Sequence, residues 1–81
     1  MVNYKPTTRM YDVGLAAALE TYGFHVITAR IDFNGSMYFE VVRSLGVDKA
    51  INAYEANHMS VRAKTFSENI TLLVNRAQAN L

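Results

Sequence analysis

Between residues 24 and 42 the chain reads FHVITARIDFNGSMYFEVV, two runs of β-branched and aromatic residues on either side of Asn34-Gly35. An Asn-Gly pair between such runs is a strong local signal of a β-hairpin, because both residues tolerate the positive φ that a tight turn needs. The alternation of apolar and polar positions decides the register. A two-residue loop pairs Phe33 with Ser36 and sets Arg30 beside Phe39, which mixes apolar and polar side chains on both faces. A three-residue loop of Phe33, Asn34 and Gly35 pairs Asp32 with Ser36 instead. Ile27, Ala29 and Ile31 then share a face with Met37, Phe39 and Val41, while Thr28, Arg30 and Asp32 share the other with Tyr38 and Glu40. One apolar face and one mixed face is what a half-buried antiparallel pair requires. The longer loop is therefore expected, with Gly35 left-handed at a bulge. On the open face Arg30 lies diagonally from Glu40, a solvated cross-strand pair worth at most about 1 kcal/mol.

Helical periodicity brackets this hairpin. Over residues 10–22, Tyr11, Leu15, Ala18, Leu19 and Tyr22 recur on one face. Asp12 falls in the first turn, where negative charge suits the helix dipole, and Gly23 supplies the stop. The opposite face of this helix, Val13, Gly14, Ala16 and Ala17, is small and barely polar. Such a face lets another backbone approach closely, although alanine also simply favours helix. After the second strand Ser44 can cap a helix reaching about residue 57, and Gly46 moves its expected start towards Val47. Val47, Ala50, Ile51 and Tyr54 make its apolar stripe; Asp48, Lys49, Asn52 and Glu55 face water. A linker over residues 57–60 leads to a final helix reaching about residue 79. Ser60 is one cap for it, and the box Thr65-Phe66-Ser67-Glu68 places its start later. Ala63, Phe66, Ile70, Leu73, Val74 and Ala77 form its buried face, with Val61, Leu72 and Ala79 on another side.

The expected fold is α+β in the order α-β-β-α-α, a two-stranded antiparallel hairpin covered on one face by helices. Residues 1–9, with Pro6, two threonines, Lys5 and Arg9, read as a flexible basic arm; residues 10–81 read as a single domain. A lone two-stranded sheet is marginal and exposes both its edges. A homodimer is expected, in which a second copy either extends the sheet edge to edge or packs against the small-residue face of the first helix.

Composition narrows the setting. A chain of 81 residues buries only about 60–65% of its unfolded surface, so a hydrophobic fraction of 51% is generous and points to apolar surface covered by a partner. There is no cysteine, hence no disulfide and no thiolate metal site, which suits a reducing cytoplasm. A net charge of +1 argues against a strong general attraction to nucleic acid or anionic membrane. No apolar run approaches the roughly 20 residues of a membrane span, and the N-terminus lacks the apolar core of a signal peptide. The expected location is cytoplasmic.

Candidate chemistry is sparse. His25 and His58 are the only histidines, and neither has a second ligand at a metal-binding spacing. The carboxylates are scattered singly, and no nucleophile elbow, P-loop or dinucleotide fingerprint occurs. The chain is read as a non-enzyme without cofactor or metal. Asn69-Ile70-Thr71 matches a glycosylation sequon but falls inside a predicted helix.

Two binding functions follow. The first is an interaction protein that contacts another protein through the exposed apolar positions Val13, Gly14, Ala16, Ala17 and Leu72. The alternative is a nucleic-acid-binding accessory using Lys5, Arg9, Arg30, Tyr38, Arg43, Arg62 and Lys64, although Asp32, Glu40, Glu55 and Glu68 interrupt that set.

A family pattern runs through the same residues. An acidic residue, Asp12, opens a helix carrying Leu15-Ala16-Ala17-Ala18-Leu19 before Gly23; a hairpin follows with Tyr38, Phe39 and Glu40 in its second strand. Tyr54 then precedes Asn57, and Val61, Ala63, Phe66, Ile70, Leu73 and Arg76 mark the last helix. Over about residues 8–76 the chain resembles a small bacterial and phage domain family of unknown function. It departs from that pattern at Met10, where the family has Thr, and at Val74, where it has Lys. The resemblance implies a phage or mobile-element setting and brings no functional residue with it.

Overall fold

In the computed structural model, which describes residues 6–79, the elements run β1 (Thr7–Met10), α1 (Val13–Thr21), β2 (Val26–Ile31), β3 (Met37–Val42), α2 (Leu45–Glu55) and α3 (Ala63–Ala79). The hairpin takes the longer loop. Asp32 N–H donates to the Ser36 carbonyl, and Ile31 pairs with Met37 and Ala29 with Phe39. Gly35 has φ +81°. Asp32 also accepts the backbone N–H groups of Asn34 and Ser36 through Oδ1, at 2.9 and 3.0 Å, which fixes the turn.

The sheet is three-stranded rather than two-stranded, in the order β1-β3-β2 with both neighbouring pairs antiparallel. The expected order α-β-β-α-α thus becomes β-α-β-β-α-α. The additional strand comes from Thr7–Met10, residues read largely as an arm. Once β3 is formed, its second edge offers a ladder, and Thr7, Thr8, Arg9 and Met10 pair with Val42, Val41, Glu40 and Phe39. Lys5 lies outside the described residues. β1 and β2 flank β3 and run parallel to each other, so the β1-α1-β2 crossover passes over β3 as a split β-α-β unit. That crossover lays α1 across the inner face of the sheet; α3 packs on α1 and β2, and α2 packs on α1.

Inner-face side chains come from all three strands: Met10, Val26, Ala29, Phe39 and Val41 are buried, and Ile31 and Met37 are half-buried. Ile27 is not among them. A β-bulge between Val26 and Thr28 lets Val26 oppose Val41, so Val26 takes the inward place and Ile27 is 46% exposed.

Asp12 is the N-cap of α1 rather than a residue of its first turn. Its Oδ1 accepts the N–H groups of Gly14 and Leu15 at 2.8 and 3.3 Å. Tyr11 therefore precedes the helix, and Tyr22 is its C-cap; both are exposed, not on the buried stripe. α1 ends in a Schellman turn: Gly23, at φ +97°, donates to the Glu20 carbonyl and Phe24 donates to that of Leu19. α2 ends the same way, with Asn57 at φ +59° donating to Tyr54 and His58 donating to Ala53. Ser44 caps α2 as expected, accepting the Val47 N–H at 3.1 Å. Gly46 nevertheless lies inside that first turn, because the Phe24 ring occupies the space a Cβ would fill, 3.2 Å away. Within α3, Leu73 and Ala77 are buried and Phe66, Ile70 and Val74 are half-buried, while Ala63 at its start is exposed.

Candidate functional site

The helices cover one face of the sheet and leave the other open among the described residues. Thr7, Arg9, Thr28, Arg30, Tyr38, Glu40 and Val42 alternate onto that open face because their neighbours in each strand point inward. Tyr11 continues the alternation past β1.

At the centre of this face the Arg9 guanidinium carbon stands 4.0 Å from the centroid of the Tyr38 ring. Tyr11 meets Tyr38 at 6.3 Å between centroids, with planes tilted by 53°. Arg9 also donates from Nε and Nη2 to Glu40 Oε2 at 3.4 and 3.3 Å, and the Thr7 hydroxyl donates to the same oxygen at 3.3 Å. The pKa of Arg9 is raised, first by a side-chain hydrogen bond with Tyr11 and also by Glu40, so its charge is fixed at any working pH. Glu40 is thus held by β1 residues, not by Arg30 as the hairpin alone suggested; Arg9 sits directly opposite it in the ladder.

Two apolar features flank this cluster. Phe33, at the hairpin tip, is fully exposed on a turn made rigid by Asp32. At the other end of the face Ile27 and Val42 line a shallow groove of about 280 Å³ with Phe24, His25 and Ser44.

The sequence-derived candidates divide sharply. Ala16 and Ala17 are 0% exposed and Val13 and Gly14 are half-buried, so the small face of α1 is not an outer surface. Its small side chains do permit close approach, but within the chain, where α1 packs against the sheet, α2 and α3. A Cβ on Gly14 would stand 2.7 Å from the Tyr54 hydroxyl. Leu72 is 58% exposed on α3, away from the other four. Of the nucleic-acid candidates, Arg9, Arg30 and Tyr38 come together on the open face. Arg43 follows β3 and lies 3.8 Å from Asp48, while Arg62 and Lys64 belong to the helical layer at the start of α3. Arg76 donates to the Val26 carbonyl at 3.0 Å.

Sequence reasoning missed Tyr11, Phe33, Val42 and Ile27 as surface groups. An Asp at an N-cap forces the preceding residue out of the helix, which is the signal that places Tyr11. The adjacent apolar pair Val26-Ile27, followed by Ala29 and Ile31, breaks strict alternation and is the trace of the bulge.

Away from this face, Tyr54 donates its hydroxyl hydrogen to Asp12 Oδ2 at 3.1 Å and ties α2 to the start of α1. Burial, and then that bond, raise the Tyr54 pKa above its ordinary value. A raised folded-state pKa means that the stabilisation is intact below about pH 10 and is lost as pH rises through the folded value. Tyr54→Phe is expected to cost about 0.5–1 kcal/mol at neutral pH and to flatten the fall in stability above about pH 10. Urea titrations at neutral and alkaline pH check this; identical midpoints for the two proteins at both would show that the bond contributes nothing.

His25 Nδ1 lies 3.5 Å from Glu20 Oε1, and His58 is exposed in the linker. Asn69 donates through Nδ2 to the Thr21 hydroxyl at 3.0 Å, which makes it an inter-helix strut. Among the described residues no group of three or more His, Asp, Glu or Cys is placed to hold a metal ion, and no helix is long and apolar enough to cross a membrane. The chain matches no protein-family model, no curated protein and no solved structure.

Proposed function

We propose that this chain is a non-enzymatic interaction protein whose working surface is the open face of the sheet. The observation that supports this reading is the cluster of Arg9, Tyr11 and Tyr38 on a face that no described element covers, continued by Ile27 and Val42. Tyrosine and arginine dominate the binding energy of protein interfaces, and charged groups other than arginine are depleted there. Glu40 is internally neutralised by Arg9, so burying the face strands no lone carboxylate. The resemblance to a phage and bacterial family makes the proposed partner a host or defence protein, met in the cytoplasm.

Affinity capture followed by titration against the purified partner tests the assignment. Tyr38→Ala or Tyr11→Ala is expected to weaken binding by about tenfold or more, the loss of one interface anchor. Leu72→Ala, on the helical side, is expected to leave it unchanged. Full binding by both tyrosine variants would remove the open face as the surface.

One observation favours a second reading. Arg9, Arg30 and Tyr38 share a face, and sheets with exposed aromatics and arginines stack single-stranded bases. Glu40 within the cluster and the net charge of +1 make it the weaker reading. Anisotropy of labelled single-stranded oligonucleotides separates the two: binding that falls steeply with salt favours nucleic acid, and no binding at low salt removes it.

A further inference from the structure

We infer that the outer edge of β1 is a docking site for a second copy of this chain, joined by antiparallel β1–β1 pairing into one continuous sheet. The site is an edge, distinct from the open face. Arg43 N–H donates to the Pro6 carbonyl at 3.0 Å, and the ladder sets Thr7 opposite Val42. Backbone groups alternate along a strand, so Pro6, Thr8 and Met10 direct theirs at β3 while Thr7 and Arg9 direct theirs away from it. Both are exposed, and among the described residues β1 has no neighbour on that side.

The other edge is treated differently. Along β2 the bulge breaks the ladder, and side chains hold both backbone groups of Val26. Its N–H donates to Glu20 Oε1 at 3.2 Å and its carbonyl accepts from Arg76 at 3.0 Å. Bulges are one of the means of closing an edge to strand addition, and groups already bonded to Glu20 and Arg76 are not free to accept a strand. The described part of β1 carries neither.

Charge selects the register, and with it the occupant. Pairing that centres Arg9 on Arg9 of the second copy opposes two like charges. Centring on Thr7 leaves the shorter overlap among the described residues. Centring on Thr8 sets Thr7 opposite Arg9 of the second copy, and each such pair exchanges both backbone hydrogen bonds. It also sets Pro6 opposite Met10 on the inner side and Thr8 opposite its own counterpart. Each Arg9 keeps its own Glu40, and among the described residues no two like charges face each other across the seam. The strand therefore complements itself.

Sedimentation across low micromolar to about millimolar protein is expected to show a concentration-dependent dimer, as befits a short ladder. Thr7→Pro removes an outward backbone N–H donor, together with the hydroxyl bond of Thr7 to Glu40, and is expected to shift the midpoint of dimerisation at least tenfold upward while leaving the far-ultraviolet spectrum unchanged. The native chain has no cysteine. Opposed residues that do not exchange hydrogen bonds lie about 4.5 Å apart at Cα, within disulfide reach. Under mild oxidation the Thr8→Cys variant is accordingly expected to cross-link into a dimer, and the Leu72→Cys variant is not. A monomer throughout the range, or equal cross-linking of the two variants, would overturn the proposal.

Discussion

Replacing Phe39 by Ala is expected to lower the stability of the domain by about 3–5 kcal/mol, the range for removing a fully buried aromatic ring. Phe39 is the hub of the fold. It sits on the central strand at 0% exposure, opposite Met10 on one side and Ala29 on the other, beneath the α1 crossover. Its strand is flanked by β1 and β2 and packed upon by α1 and α3, so no single element can move to fill the void without displacing another. A domain of this length has roughly 4–12 kcal/mol of stability in all. The variant should thus melt far below the parent or be unfolded at physiological temperature. Urea unfolding followed by circular dichroism measures it, and a loss under about 1 kcal/mol would show that the core is not centred on this ring.

Ala17→Leu is expected to destabilise by about 1–3 kcal/mol, the usual cost of forcing extra methylenes into a packed core. On an exposed helix face the same change would be close to neutral, since leucine and alanine differ by only a few tenths of a kcal/mol in helix propensity. The variant therefore separates a buried from an exposed reading of this helix face. Ala17 has no surface exposure. One turn on, the Thr21 hydroxyl donates to the Ala17 carbonyl at 2.7 Å and accepts from Asn69 on α3 at 3.0 Å, so the two helices are held at close range beside it. A larger side chain must part them. Leu72→Ala is the control, expected to stay within about 0.5 kcal/mol of the parent. Equal midpoints for Ala17→Leu and the parent would return the small face to the surface.

Local patterns in the chain were legible wherever one residue type answers one geometric demand. Asn34-Gly35 with the alternation around it specified the loop length and the face of Phe39. Gly23 and Ser44 marked helix ends because a left-handed residue and a hydroxyl acceptor are needed there. What stayed hidden depends on elements far apart in sequence. Thr7–Met10 has no strand pattern of its own and becomes a strand only because β3 presents an edge. The alanines of α1 look the same whether a second helix or empty solvent lies beyond them, and tertiary packing decides between the two. The candidate site was half visible for that reason: Arg30 and Tyr38 shared a face on hairpin register alone, while Arg9 and Tyr11 joined them only through β1.

The side chains that grip Val26 make the sheet one-sided with respect to growth. Among the described residues the outward backbone groups of Thr7 and Arg9 are open along β1, whereas those of Val26 on β2 are already bonded. If the β1 edge takes up a second copy as inferred, the gripped Val26 is then the barrier that a further strand meets at the opposite edge.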